Sequence, residues 1–177
     1  HHPCLRPNVH PLMPAIRHYI LATAGHVDHG KSTLVRALTG TDPDRLPEEK
    51  KRGLTIELGF AHLDMKDLGG EVLYRLGIVD VPGHEDFVHN MVGGVGSVDL
   101  ALLAVAADDG WMQQTEEHLE ILSYLGVPRG LVALTKCDLV EDNYARAREE
   151  EIQARLQDST LAGSHIVHTS GMNDPGI

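Results

Sequence analysis

Cysteine is almost missing from this chain: Cys4 and Cys137 are the only two in 177 residues. Two such thiols, far apart, build no disulfide framework, which points to a reducing compartment and a cytoplasmic protein. Long apolar runs are missing as well. No stretch approaches the roughly 18 residues that span a bilayer, and the opening "HHPCLRPNVHPLMP" has no apolar signal-peptide core, so neither a membrane nor a secreted protein is expected. Positive charge is in short supply, with 15 Lys and Arg against 26 Asp and Glu and a net charge of −11. That field favours solubility and repels nucleic acid, so no DNA partner is expected and RNA would be recognised mostly through other parts. There is no internal repeat.

What is present suits one well-buried core: 177 residues, 42% of them hydrophobic. The first 16 residues stand apart, Pro- and His-rich and patternless, and are expected to be a disordered extension. Metal binding by His1, His2 and His10 is outweighed there by a tag remnant, translated upstream sequence or a floppy tail. Residues 17–177 then form the domain. Short apolar runs alternate with helical patterns, the signature of an α/β fold with a mostly parallel sheet. "YILATA" (19–24), "LALLAVAA" (100–107) and "LVALT" (131–135) read as buried strands, with "KSTLVRALTG" (31–40) a helix closed by Gly40. "LGFAHLDM" and "VLYRLGIVD", joined by "KDLGG", read as an antiparallel hairpin. "QTEEHLEILSYLG" (114–126) and "NYARAREEEIQARLQ" read as helices, and "HIVHTS" as a last strand with no covering helix after it. The polar segment 41–57 is a long loop, and long loops in compact domains tend to be functional.

The chemistry concentrates in "GHVDHGKS", residues 25–32, a GxxxxGK[ST] phosphate loop after a strand and opening a helix. Gly25 and Gly30 let backbone N–H groups approach phosphate oxygens, and the helix N-terminus adds positive potential. Lys31 neutralises the β and γ phosphates, and Ser32 ligates magnesium. A chance match somewhere in a chain of this length is on the order of one in a hundred. "DVPGH" (80–84) follows an apolar strand, where Asp80 reaches magnesium through water and Gly83 gives its N–H to the γ-phosphate; the alternative is a strand-ending turn. In "TKCD" (135–138), Asp138 can accept from the N1–H and exocyclic amine of guanine, a donor pair that adenine lacks; capping a turn is the alternative. Thr55 of "RGLTI" lies on the long loop, placed to reach magnesium when a γ-phosphate is present.

The ordered set "GHVDHGKS", "RGLTI", "DVPGH" and "TKCD" resembles the translational GTPases, ribosome-activated elongation and initiation factors, from about residue 19 to 171. Within them, "TGTDPDRLPEEKKRGLTIELGFA", the stretch from "VDVPGH" to "EEHLEIL", and the threonine of "TKCD" look most like the selenocysteine-specific branch. The resemblance implies a P-loop NTPase fold, three-layer and doubly wound, with a mostly parallel sheet, one antiparallel hairpin and a missing final helix. It implies GTP and GDP as ligands, Mg2+ as cofactor and a monovalent cation near Asp28. It implies that residues 25–33, from Gly25 through His26, Val27, Asp28, His29, Gly30, Lys31 and Ser32 to Thr33, surround the phosphates. Ser32, Thr55 and Asp80 would hold magnesium, and Thr135, Lys136 and Asp138 would belong to the nucleotide site, with Asp138 against the base. His84 would orient the attacking water beside an apolar gate of Val27 and Ile56. The partners implied are the ribosome and selenocysteyl-tRNA, mostly through domains beyond a truncated chain, with the chain itself a monomer.

Two departures from the family pattern stand out. Thr135 replaces the usual asparagine, so a hydroxyl has to do the work of an amide on the phosphate loop. After the last strand, "TSGM" replaces serine and alanine, leaving Ser170 and a more flexible Gly171 to meet the guanine oxygen. His26 and His29 are expected to serve loop packing, since a zinc ion there would compete with phosphate. His62, His89, His118 and His165 are expected as surface or helix-face residues. The competing readings are a general aminoacyl-tRNA elongation or initiation factor domain, a non-hydrolysing nucleotide-binding module, and an ATP-dependent kinase, the last disfavoured by Asp138.

Overall fold

The apolar run expected as a strand at 19–24 is longer in the folded chain. β1 covers Ala15–Gly25, and Ala15 pairs with Val72 at its start. Residues 15 and 16, assigned to the extension from composition, are therefore strand, because a neighbouring strand long enough to pair with them lies alongside. In the computed structural model the described residues are 15–41, 60–80 and 98–170.

β1 lies inside a six-stranded sheet of order β2-β3-β1-β4-β5-β6. β3 (Val72–Asp80) and β4 (Leu100–Ala106) flank it, both parallel, and β5 (Gly130–Thr135) and β6 (His165–His168) extend the parallel array. β2 (Phe60–Lys66) runs antiparallel to β3 on the edge, closing the expected hairpin. Its turn is fixed by Asp67, whose Oδ1 accepts from Val72 N at 3.1 Å, and by Gly70 at φ 70°. From Ala101 onward β4 is buried throughout, as a strand covered on both faces must be.

Helices lie on both faces. α1 (Lys31–Thr39) packs Leu34 against Leu102 and Ala133, and Val35 against Ala61 and Ile78. α2 (Gln113–Tyr124) and α3 (Asp142–Leu156) cover the other face, where Leu119, Leu122, Ile152 and Leu156 join Leu103, Val105, Val132 and Leu134 in the main core. Full burial of one such leucine contributes about 1.5–3 kcal/mol. Gly40 ends α1 in the left-handed region at φ 71°, its N–H donating to Arg36 O at 2.8 Å.

β6 is the last element among the described residues. On the α1 side of the sheet, beside it, Leu131 and Val167 stay 39% and 47% exposed. α1 does not reach that far. Adjacent strands β1 and β4 feed helices on opposite faces, so a crevice opens at their carboxyl ends, the usual place for a ligand in such a sheet.

Candidate functional site

Gly25 ends β1 at that crevice, paired with Ala104 of β4. Its φ is 128°, and a Cβ there would collide with the Ala104 carbonyl oxygen, so only glycine permits the strand to turn this close to its neighbour. Asp28, at φ 62°, and Gly30, at φ 83°, turn the chain back, and Gly30 becomes the N-cap of α1. No side chain caps that helix and its first turn holds no acidic residue. Uncapped amides and the helix dipole make this end suited to an anion. Lys31 reaches back across the loop, its Nζ donating to Gly25 O at 3.0 Å and His26 O at 2.8 Å. A cation over the loop and the N-terminal amides of a helix that no side chain caps form a donor set that fits phosphate oxygens. Ser32, partly buried, and Thr33, exposed, stand in the first turn, where a hydroxyl can meet a cation that accompanies the phosphates.

The loop is tied to its surroundings from two directions. Thr135, buried at the end of β5, donates through Oγ1 to His29 O at 2.8 Å. The hydroxyl thus makes the contact expected of it in place of an amide. The His29 ring is wholly buried, edge-on to His26 with centroids 5.1 Å apart, and its Nε2 lies 3.6 Å from Asp109 Oδ2. Neither ring nitrogen has a hydrogen-bond partner among the described residues. Burial holds its pKa below the ordinary value; His26 adds to the effect, Asp109 opposes it, and Lys136 and Lys31 reinforce it. His29 is therefore neutral packing, in keeping with the scaffolding expected of it.

From the other direction α2 takes hold of the loop backbone. His118 Nδ1 accepts from Gly25 N at 2.9 Å, and Gln114 Oε1 accepts from Val27 N at 2.9 Å. An accepting Nδ1 places the ring proton on Nε2. Of the two places expected for His118, surface or helix face, it takes the helix face, turned inward and 1% exposed. Its position four before Leu122, on the buried face of α2, was the signal available. His62 and His165 are exposed as expected, and His89 lies outside the described residues.

The base-reading candidates stand at the same sheet end. Lys136 adopts a left-handed φ of 56°, and the 3-10 turn Cys137–Leu139 follows with Asp138 exposed on it. Cys137 N donates to Thr169 O at 3.2 Å and Thr169 N to Leu134 O at 2.9 Å, which joins "TKCD" to the segment carrying Ser170. Lys136 Nζ is 3.7 Å from Asp108 Oδ2 and 4.0 Å from Asp109 Oδ2. Asp108, Asp109, Gln114 and His118 are contacts that motif spacing did not single out.

Asp80 ends β3 opposite Thr23 in register, at the loop's end of the sheet; its backbone alone is described. Val27 is 56% exposed and Asp28 also faces outward. Thr55, Ile56, Gly83, His84 and Gly171 lie outside the described residues, so the sites assigned to them are not described geometrically. No helix among the described residues is long and apolar enough to cross a membrane.

The chain is 56% identical over 158 residues to the selenocysteine-specific elongation factor of Desulfomicrobium baculatum, which covers 89% of this chain and 24% of that protein. The Escherichia coli K12 factor of the same name is 49% identical over 158 residues, covering 89% and 25%. Among solved structures, a bacterial selenocysteine-specific elongation factor, EF-Sec, matches with TM-score 0.69 and 44% identity over 89% of this chain and 26% of that one. Translation elongation factor SelB from Methanococcus maripaludis, in complex with the GTP analogue GppNHp, matches with TM-score 0.69 and 31% identity over 89% and 31%. The chain thus spans about a quarter of the length of the curated relatives it matches. The family described as the elongation factor Tu GTP binding domain matches residues 16–177, and the chain belongs to it.

Proposed function

We propose that this chain is the guanine-nucleotide domain of a selenocysteine-specific elongation factor, binding GTP and GDP and hydrolysing GTP. The observation that carries the reading is the meeting of two motifs at one sheet end: the loop under Lys31 and the "TKCD" turn, joined by the Thr135 to His29 hydrogen bond. A phosphate chain lying on the first and a base against the second would be held by one rigid unit. Lys31 and the amides of α1 take the β and γ phosphates, and Asp138 accepts from the guanine edge, with Ser170 and Gly171 offering N–H groups to its oxygen. Ser32, Thr55 and Asp80 are the residues to hold magnesium, which supplies charge neutralisation on the phosphates when bound. Asp28 is assigned to a monovalent cation.

In hydrolysis His84 orients a water for attack on the γ-phosphorus, and Val27 and Ile56 restrict access to it. Lys31 and the loop amides stabilise the charge that develops. The two loops expected to answer to the γ-phosphate, roughly 41–57 and 82–95, lie outside the described residues apart from Thr41. Fast turnover requires the ribosome, and selenocysteyl-tRNA is held mostly by other parts of a longer factor working in the cytoplasm. The selenocysteine branch is supported by the relatives' printed names and by Thr135.

The test is calorimetric titration with GDP, GppNHp and an ATP analogue in magnesium. Saturable binding of both guanine nucleotides and none of the ATP analogue is expected. Binding of ATP in preference, or no binding by a folded chain, overturns the reading.

A further inference from the structure

The turn at 106–110, which carries β4 into α2, is gripped from two sides. Toward the loop, Asp108 and Asp109 face the Lys136 ammonium at 3.7 and 4.0 Å, and Asp109 also approaches His29 at 3.6 Å. On the far side stands Arg148 of α3. Its Nε donates to Ala107 O at 3.3 Å, and its guanidinium lies so close to Gly110 that a Cβ there would collide with it. Gly110 takes a left-handed φ of 76°, which favours glycine, and the guanidinium packs against it. Arg148 is itself fixed by Glu151 Oε2 at 2.7 Å and Tyr144 Oη at 2.8 Å, with its carbon 5.0 Å from the centre of the Tyr144 ring.

We propose that Arg148 is a positioning residue for guanine-nucleotide binding, acting through the 106–110 turn on Lys136 and the phosphate loop. The proposal rests on the reading of 25–33 and 135–138 as the nucleotide site. Lys136 is held at a left-handed φ and its ammonium has two carboxylates of the turn as counter-charges. Where that turn sits decides where the ammonium sits. The turn's own backbone ties, Ala107 N to Thr135 O and Gly110 N to Ala106 O, both at 2.8 Å, fix its root and its closure, and Arg148 adds a hold on it from α3. A planar guanidinium spreads fixed donors over Ala107 O, Glu151 and Tyr144 while its face lies against Gly110, a span that the single nitrogen of a lysine ammonium does not reproduce.

The experiment measures dissociation constants for GDP and GppNHp on the 177-residue chain, as wild type, Arg148→Met, Arg148→Lys, Asp109→Asn and the Arg148→Met/Asp109→Asn double variant. All are measured well below their unfolding midpoints. Arg148→Met is expected to weaken both nucleotides alike, by roughly tenfold, with Arg148→Lys failing to restore the loss. The double variant is expected to bind about as weakly as Arg148→Met alone, because the two changes break one chain of contacts. A purely structural role would lower the unfolding midpoint and leave affinity unchanged, and that result overturns the proposal, as does an Asp109→Asn variant that binds like the wild type or a double variant that loses the sum of the two single losses. If Arg148→Met does not fold, Tyr144→Phe, which removes only the hydroxyl that anchors Nη2, carries the test: about threefold weaker binding is expected, and unchanged affinity overturns the proposal. A folded wild type that binds neither nucleotide defeats the site reading and the proposal together. Wild-type binding with an indifferent Arg148→Met defeats the proposal alone.

Discussion

Thr135 holds the phosphate loop through one hydroxyl, and that bond can be removed without changing side-chain shape. Thr135→Val leaves the buried His29 carbonyl without its donor, at a cost of about 1–3 kcal/mol. A lower urea midpoint with unchanged slope is the expected result; an unmoved midpoint contradicts the role. His29 offers a pH test. Burial depresses its pKa below 6.5 in the folded chain, so the unfolded chain binds the proton more readily. Its contribution to stability is whole above that value and falls as pH drops below it. The stability difference between wild type and His29→Asn is expected to shift against the wild type between about pH 7.5 and about pH 5.5. Denaturation at several pH values measures this, and a flat difference would show that His29 is not depressed. If Asp138 reads the base as proposed, Asp138→Asn puts a donor where the guanine edge needs an acceptor. Preference is expected to move from guanine toward xanthine nucleotides in competition titrations.

Elements act on the site through their ends and faces. α1 exposes uncapped amides because Gly30, not Ser or Asp, stands at its N-cap, and this was legible in "GKS". α2 was legible as a helix, yet its hold on the loop was not. Gln114 and His118 are separated from Val27 and Gly25 by 87 and 93 residues, and no local pattern carries that distance. The two contacts are expected to differ in worth. His118→Phe strands a buried Gly25 N–H and is expected to cost about 1–3 kcal/mol, whereas Gln114→Ala uncovers an exposed N–H that water can satisfy and is expected to cost less than about 1 kcal/mol. Chemical denaturation of both variants measures this. Equal losses would mean that α2 matters by packing and not by these bonds.

At the scale of the molecule, ligand and fold are coupled by mass action. A domain that binds GDP only when folded gains about 2.7 kcal/mol at a hundredfold excess over the dissociation constant. GDP with magnesium is expected to raise the thermal midpoint and ADP to leave it unchanged; equal shifts would remove Asp138 as the discriminator. Strand and helix identities, the hairpin, and the order of phosphate-loop and base motifs were all legible in the chain, because each depends on short-range periodicity or on a handful of adjacent residues. The start of β1 was not, since Ala15 and Ile16 are strand through their pairing with Val72 and Leu73. Nor was the bond from Gly25 N to the His118 ring, or the grip of Arg148 on the turn at 106–110. Those features arise where β1 and β4 lie side by side and send their helices to opposite faces, bringing residues 25, 110, 118, 135 and 148 together. Local chemistry is enough to name a phosphate loop, but which distant side chains steady it depends on which strands become neighbours, and that is settled by burial of the whole apolar surface at once.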